Sequence, residues 1–306
     1  MSLDVHVPQA ACEPLGFHQI ENRLKNCACL PSLSSIDSAL KELLGADQRY
    51  TSQIAEIIRR DPSLTSRLLR MVNSVYYGIS KPIKNIEEAV FYLGVRQIRQ
   101  LAMVTPIIED FQRLAGNYRF QWREFWQHCI GTALMTREVI DIIQTPNEEI
   151  DYVAGLIHDV GKIVMASTFP EHFTEICRRQ SGGGGLGLLE LEREVLGMDH
   201  AELGGIYIKK QMLPDIFVEI VRFHHLPERA DKYGNIAAAV QVADLLVRHA
   251  RIGDSGNRME VADESWVESA GWKILFAHQT AAEKAITRAS LKRSLEGIPS
   301  ILEGLV

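Results

Sequence analysis

The chain has 306 residues, 46% hydrophobic and 24% charged, which is ample material for a large core and excludes disorder as the default state. Its 33 lysines and arginines against 39 acidic residues give a net charge of -6, which opposes nucleic-acid binding as the main task. Five cysteines without zinc-hairpin spacing, no apolar leader between Met1 and Gln19, and no apolar run of the roughly 18 residues a bilayer span needs lead to the expectation of a soluble cytoplasmic protein with reduced thiols.

Helical signals dominate along the chain. Ser38–Leu44 and Ser52–Ile58 read as short amphipathic helices. Asp61-Pro62 is an N-cap with proline at the first helical position, ahead of a helix over Ser63–Val75. Ile83, Ile86, Ala89, Val90 and Leu93 form the next apolar stripe, and Val95, Ile98, Leu101 and Ala102 another that ends at Pro106. Between Arg113 and Phe120 the periodicity lapses. It resumes in helices over Trp122–Ile143, Tyr152–Ser167, Leu188–Val195, His200–Gln211, Asp215–Phe223 and Asn235–His249, with a glycine-rich loop at Ser181–Gly185. Strand signals are nearly absent, so the fold class is all-α. The expected organisation is an N-terminal helical part over 19–117, a multi-helix part over 118–250 packed against it, and a C-terminal helical extension over 251–306.

The chemistry-bearing residues lie in the middle part. His158 and Asp159 sit in a strongly apolar run with Val153, Leu156, Ile157, Val160 and Ile163, where two polar side chains are costly to bury without partners. Metal coordination satisfies both, because a carboxylate has two oxygens and can bridge two cations while the imidazole serves one. His128 precedes the pair on a separate aromatic-rich helix, His200 follows at a helix start, His224 and His225 stand together at a helix end, and Asp244 is a lone carboxylate in an apolar stripe. Together they supply five imidazoles and two carboxylates from separate helices. Mixed nitrogen and oxygen ligation suits two divalent transition-metal ions, iron or manganese first and zinc as a further choice, over calcium or magnesium. Glu124, one helical turn before His128, is read as a further ligand or a partner that orients the imidazole, with simple surface exposure as the alternative. Lys162, four residues after His158, is placed to meet a substrate phosphate. Arg248 and Arg251, which follow Asp244, are read as solvated surface, with reach into the same pocket as the alternative.

These residues resemble the pattern of the HD superfamily of metal-dependent phosphohydrolases. The N-terminal half narrows the likeness. Leu30-Pro31-Ser32-Leu33, Ile57-Ile58-Arg59-Arg60-Asp61-Pro62-Ser63-Leu64, Leu69-Arg70-Met71-Val72-Asn73-Ser74 and Ile86-Glu87-Glu88-Ala89-Val90-Phe91-Tyr92-Leu93-Gly94 resemble the HDOD family, an all-helical bacterial signalling module related to the HD-GYP phosphodiesterases. The resemblance runs from about Gln19 to His225 and implies metal ligands at Glu124, His128, His158, Asp159, His200, His224, His225 and Asp244, with Asp159 and Lys162 as catalytic residues. Many members of that family have lost these ligands; this chain keeps them. The Asp-Gly-x-Gly-Tyr-Pro segment that follows the histidine doublet in HD-GYP proteins is absent, and Leu226-Pro227-Glu228-Arg229 stands in its place.

The expected function is therefore a signal-transduction protein acting as a metal-dependent phosphohydrolase or phosphodiesterase, on a phosphate-containing small molecule or a cyclic dinucleotide. The alternative is a non-catalytic signalling adaptor with structural metals, which would meet a partner protein on the helices around Leu64–Leu93. Nucleic acid and membrane are not expected partners.

Overall fold

A computed structural model of the chain describes residues 12–25, 27, 69, 83–86, 88–89, 121–144, 150–181, 186–211 and 213–303. Among these residues every regular element is helical, so the chain is all-α. Most of the helices expected between Ser38 and Pro106, and with them the N-terminal bundle and the Leu64–Leu93 partner surface, lie outside the described residues. Ile83, Ile86 and Ala89, which are described, are buried.

A short helix α1 (Phe17–Lys25) precedes α2 (Trp122–Ile143), α3 (Ile150–Ile157), α4 (Val160–Thr168), α5 (Pro170–Ser181), α6 (Leu188–Leu196), α7 (His200–Lys210), α8 (Asp215–Phe223), α9 (Gly234–His249), α10 (Ala270–Leu275) and α11 (Ala281–Glu303). Single 3-10 turns occur at Pro227–Arg229 and Ser265–Glu268. Helix α2 lies at the centre, with α9 and α3 packed along it and α11 covering a further side. Helix α7 joins α4 to α8, and α8 leans on α9, which closes the ring of helices around the site.

Local chemistry sets the boundaries. Helix α6 ends at Gly197, whose positive φ of 96° is a left-handed cap, and α7 starts two residues later where Asp199 accepts from the Glu202 N–H at 2.8 Å. The turn between them delivers His200 to the first position of α7. Helix α4 crosses α7 at Gly161, where a Cβ would lie 1.8 Å from the His200 carbonyl oxygen and 2.9 Å from the Gly204 nitrogen. Only glycine permits so close a backbone approach, and this approach puts Asp159 and His200 in one place.

Two expectations are corrected. The helix expected over Tyr152–Ser167 breaks at His158 and Asp159, which form the turn between α3 and α4. The His158 ring donates from Nδ1 to the Gly155 carbonyl at 2.7 Å, taking an acceptor at the end of α3. Helix α5 has no counterpart in the sequence reading, because Phe173 and Ile176 are its only buried apolar side chains.

Candidate metal centre

Five helix ends or stripes converge on Asp159. His128 comes from α2, His158 and Asp159 from the α3–α4 turn, Lys162 from the first turn of α4, His200 from the start of α7, His224 and His225 from the end of α8, and Asp244 from the middle of α9. His128, His158, His200 and His224 are fully buried, and Asp159, Asp244 and Lys162 are 1%, 4% and 5% exposed. Two groups of ligand atoms are each mutually within 4.8 Å: His128, His158 and Asp159 in one, and Asp159, His200, His224 and His225 in the other. Asp159 belongs to both. Asp244 joins the first, with Oδ1 at 3.1 Å from His128 Nε2 and 4.0 Å from His158 Nε2.

The tautomers follow from the outer hydrogen bonds. His158 Nδ1 faces the Gly155 carbonyl at 2.7 Å and His224 Nδ1 the Val221 carbonyl at 2.8 Å. A carbonyl oxygen only accepts, so both Nδ1 atoms carry a proton and both Nε2 atoms face inward. They meet Asp159 at 3.3 Å for His158 and 3.7 Å for His224, so two inner ring nitrogens crowd one carboxylate. His158 Nε2, His224 Nε2 and His128 Nδ1 are buried with no hydrogen-bond partner, while His128 Nε2 and Asp159 Oδ1 meet only other ligand-type atoms, Asp244 Oδ1 and His200 Nε2, each at 3.1 Å. Buried polar atoms almost always have partners. Ligand-type atoms gathered into two buried groups that share Asp159 form a set that fits cations.

Electrostatics points the same way. Burial alone would raise the Asp159 pKa, but the His158 ring and the Lys162 ammonium override it and hold the carboxyl well below its usual range. Asp244 behaves alike: burial is outweighed by the His128 ring and the Arg248 guanidinium, and its pKa falls. Burial lowers His128, brings His224 down to about 3 and takes His225 well below the ordinary value. Asp159 and Asp244 therefore stand ready as carboxylates, and His128, His224 and His225 as neutral imidazoles. His200 is the exception. Burial would lower it too, yet the Glu192 carboxylate raises it to about 9. Glu192 Oε2 accepts from His200 Nδ1 at 2.7 Å and from the His200 backbone N–H at 2.9 Å. The protonated ring then turns Nε2 toward Asp159 Oδ1 at 3.1 Å and His225 Nε2 at 3.0 Å. A proton there occupies the position between ligand atoms that a cation would take.

Glu124 is exposed and stands apart from both groups; its backbone carbonyl accepts from the Asp254 N–H at 2.9 Å. Lys162 Nζ donates to Asp159 Oδ2 at 2.6 Å and to the Ser255 carbonyl at 2.9 Å. Arg251 is exposed and paired with exposed Glu260, whereas Arg248 turns inward, 13% exposed, with Nη1 3.7 Å from Asp244 Oδ2. The surface placement read for Arg248 is thus corrected: four residues after Asp244 on α9, it faces the same side. The sequence reading also passed over Glu192. A signal existed, since Glu192 falls on the buried stripe of α6 with Leu188, Leu191, Val195 and Leu196.

The HDOD domain family model matches residues 30–227. An HDOD domain protein of unknown function from Geobacter sulfurreducens has the same fold, with a TM-score of 0.80 at 22% identity over 94% of this chain and 97% of that one. A candidate phosphohydrolase from Shewanella amazonensis superposes with a TM-score of 0.68 at 19% identity, covering 94% of this chain and 98% of its own. An uncharacterised protein of Treponema pallidum is 26% identical over 234 residues, 75% of this chain and 44% of that protein, so the chain spans less than half the length of this curated relative. Among the described residues no helix is long and apolar enough to cross a membrane.

Proposed function

The chain belongs to the HDOD family, and on that premise we propose that it is a signal-transduction protein whose buried centre binds two divalent transition-metal ions and hydrolyses a phosphate ester. The observation that carries the reading is the buried set of imidazole and carboxylate atoms that face one another around Asp159. His128, His158 and Asp244 would hold one cation, His200, His224 and His225 the other, with Asp159 shared. Iron or manganese fits this nitrogen and oxygen set, as does zinc. Cations held there supply Lewis acidity toward a phosphoryl oxygen and promote the ionisation of water.

The remaining roles belong to the chain itself. Lys162 brings a positive charge against Asp159 and is the group placed to offset charge gathering on a phosphate. Glu192 fixes the His200 ring and keeps its Nδ1 protonated. The candidate phosphohydrolase of Shewanella amazonensis supports the reaction class through a shared fold. A phosphate-containing small molecule or cyclic dinucleotide is the substrate class; the 3-10 turn at Pro227–Arg229, where HD-GYP proteins carry their glycine-rich segment, gives no support to cyclic-di-GMP in particular.

Elemental analysis of protein purified without added metal, with an assay on a generic phosphodiester, tests this. Stoichiometric metal with turnover, both lost in His158→Ala, is the expected result. Absence of metal, with His158→Ala unchanged in stability, would overturn it. The complete burial of the first-named ligands favours one second reading, an adaptor in which the metals clamp the helices together. Full occupancy without turnover on any phosphodiester would select that reading.

A further inference from the structure

Beyond α9 the chain runs through an irregular segment across the metal centre. Ile252 N–H donates to the Val247 carbonyl at 3.0 Å, and Asp254 N–H to the Glu124 carbonyl at 2.9 Å. Gly253 has a positive φ of 65°, and a Cβ there would lie 2.1 Å from the Glu124 oxygen and 2.4 Å from the His128 nitrogen. The segment is thus pressed against the backbone of a ligand. Ser255 is buried, and its carbonyl accepts from Lys162 Nζ at 2.9 Å. The Met259 carbonyl accepts from Arg248 Nη2 at 2.9 Å.

The two cations share a further property. Lys162 touches Asp159 at 2.6 Å, and Arg248 approaches Asp244 at 3.7 Å. Each cation thus bridges a carboxylate of the centre to a backbone oxygen of the same segment. A carbonyl oxygen is a neutral, weaker stand-in for a phosphoryl oxygen as an acceptor from an ammonium or guanidinium. The segment also has room to leave. It borders a cavity of about 510 Å³ lined by Arg248, Gly253, Asn257, Arg258 and Val261, and beyond Ser255 it is held mainly by polar contacts such as that of the Arg258 N–H with Gln180 Oε1 at 3.2 Å.

We propose that Lys162 and Arg248 form a paired-cation cradle for a phosphate group, and that the segment 252–259 is a strap whose Ser255 and Met259 carbonyls occupy that cradle until a phosphate ester displaces them. The proposal rests on the phosphohydrolase reading for its ligand class, but the clamp between strap and cations stands independently of metal. Arg248 becomes a phosphate-binding residue, and the strap accounts for ligands that are buried in a centre meant to receive a substrate.

Hydrogen exchange on the full chain loaded with manganese, with inorganic phosphate as the probe, tests it. Saturating phosphate speeds exchange of the Ile252 and Asp254 amides about tenfold or more, as expected when a ligand selects the open form, and leaves α11 unchanged. Phosphate that binds without moving these amides overturns the strap. Arg248→Gln weakens phosphate binding about tenfold, because a charge-assisted contact is lost, and speeds strap exchange even without phosphate. Unchanged phosphate affinity in this variant overturns the cradle.

Gly253→Ala gives the opposite sign. Its Cβ meets the Glu124 and His128 backbone and forces the strap outward, so in protein that retains its metal phosphate binds several-fold more tightly once the closed form is no longer favoured. Weaker phosphate binding, with metal content retained, makes the strap a mere structural cover and overturns the proposal. If the protein takes up no metal, the phosphohydrolase reading fails by itself. Exchange at the strap of the metal-free Arg248→Gln protein then decides the clamp: faster exchange supports it, and unchanged exchange rejects it.

Discussion

Asp159 divides its surroundings into two unlike halves. On one side His128, His158 and Asp244 are all buried, their imidazole lone pairs and carboxylate oxygens already facing one another. On the other side His225 is only partly buried, and His200 is tied through Nδ1 to a carboxylate outside the ligand set. The first half resembles a closed coordination site, the second an open one that holds a proton in its resting state. The contrast teaches how one bridging carboxylate can serve two tasks. The first half can organise α2, α3 and α9 beneath the segment that covers Lys162 and Arg248, while the second keeps a partial opening of its own at His225.

The strongest way to break the comparison is to remove what the halves share. Asp159→Ala leaves Lys162 buried without its carboxylate, and breaking a buried pair by removing one partner costs about 3–5 kcal/mol. Denaturant unfolding should show that loss, and elemental analysis should show metal gone from both halves. Retention of one equivalent would mean that the halves are independent sites.

Gly161→Ala should separate the halves instead. The new Cβ would overlap the His200 carbonyl at 1.8 Å, and forcing a closely packed crossing apart costs about 1–3 kcal/mol. Because α7 moves from α4 while α2, α3 and α9 are untouched, one metal equivalent should be lost and the other kept. Loss of both would show that the crossing supports the whole centre.

How much of this was legible in the sequence depends on whether a side chain's partner is local. The bounds of α2 and α8 follow from their apolar spacing, and the histidines and aspartates stand out because polar residues in apolar stripes demand partners. The break at His158 and Asp159 was hidden, since the apolar run continues unbroken across it and the interrupting bond comes from a side chain. Helix α5 was hidden because its buried face is only Phe173 and Ile176 wide, with His172 beside them. Arg248 was misread because its second partner is a carbonyl in an irregular segment, where no periodicity reports direction. Glu192 was readable from its place on the α6 stripe, but its role appears only when α7 turns His200 back on it.

Glu192→Gln sharpens the comparison without disturbing the fold. The amide keeps the shape and an acceptor oxygen but not the charge that holds His200. Loss of such an outer partner typically lowers metal affinity 10–100-fold. The effect should fall on one half alone, so a cobalt titration followed by absorbance should separate into one unchanged and one weakened binding step. A uniform weakening would assign Glu192 to the scaffold and not to His200.

The response to pH is the most selective effect. His200 in the metal-free protein is raised to about 9 against an ordinary value of 6.5, so it is protonated at neutral pH. A folded-state pKa raised above the unfolded one contributes stability fully present below about 6.5 and lost as pH rises through about 9. The same proton competes with a cation for Nε2. Apparent affinity in that half should therefore climb about tenfold per pH unit from neutrality and level off near 9. In the closed half, His128 is pushed below its ordinary value, so its lone pair is free throughout that interval and binding should not change with pH. Metal titrations across the interval, in buffers of differing ionisation enthalpy, would count the proton released. Equal slopes in both halves would remove the distinction that Glu192 creates, and the two halves would then differ only in their access to solvent.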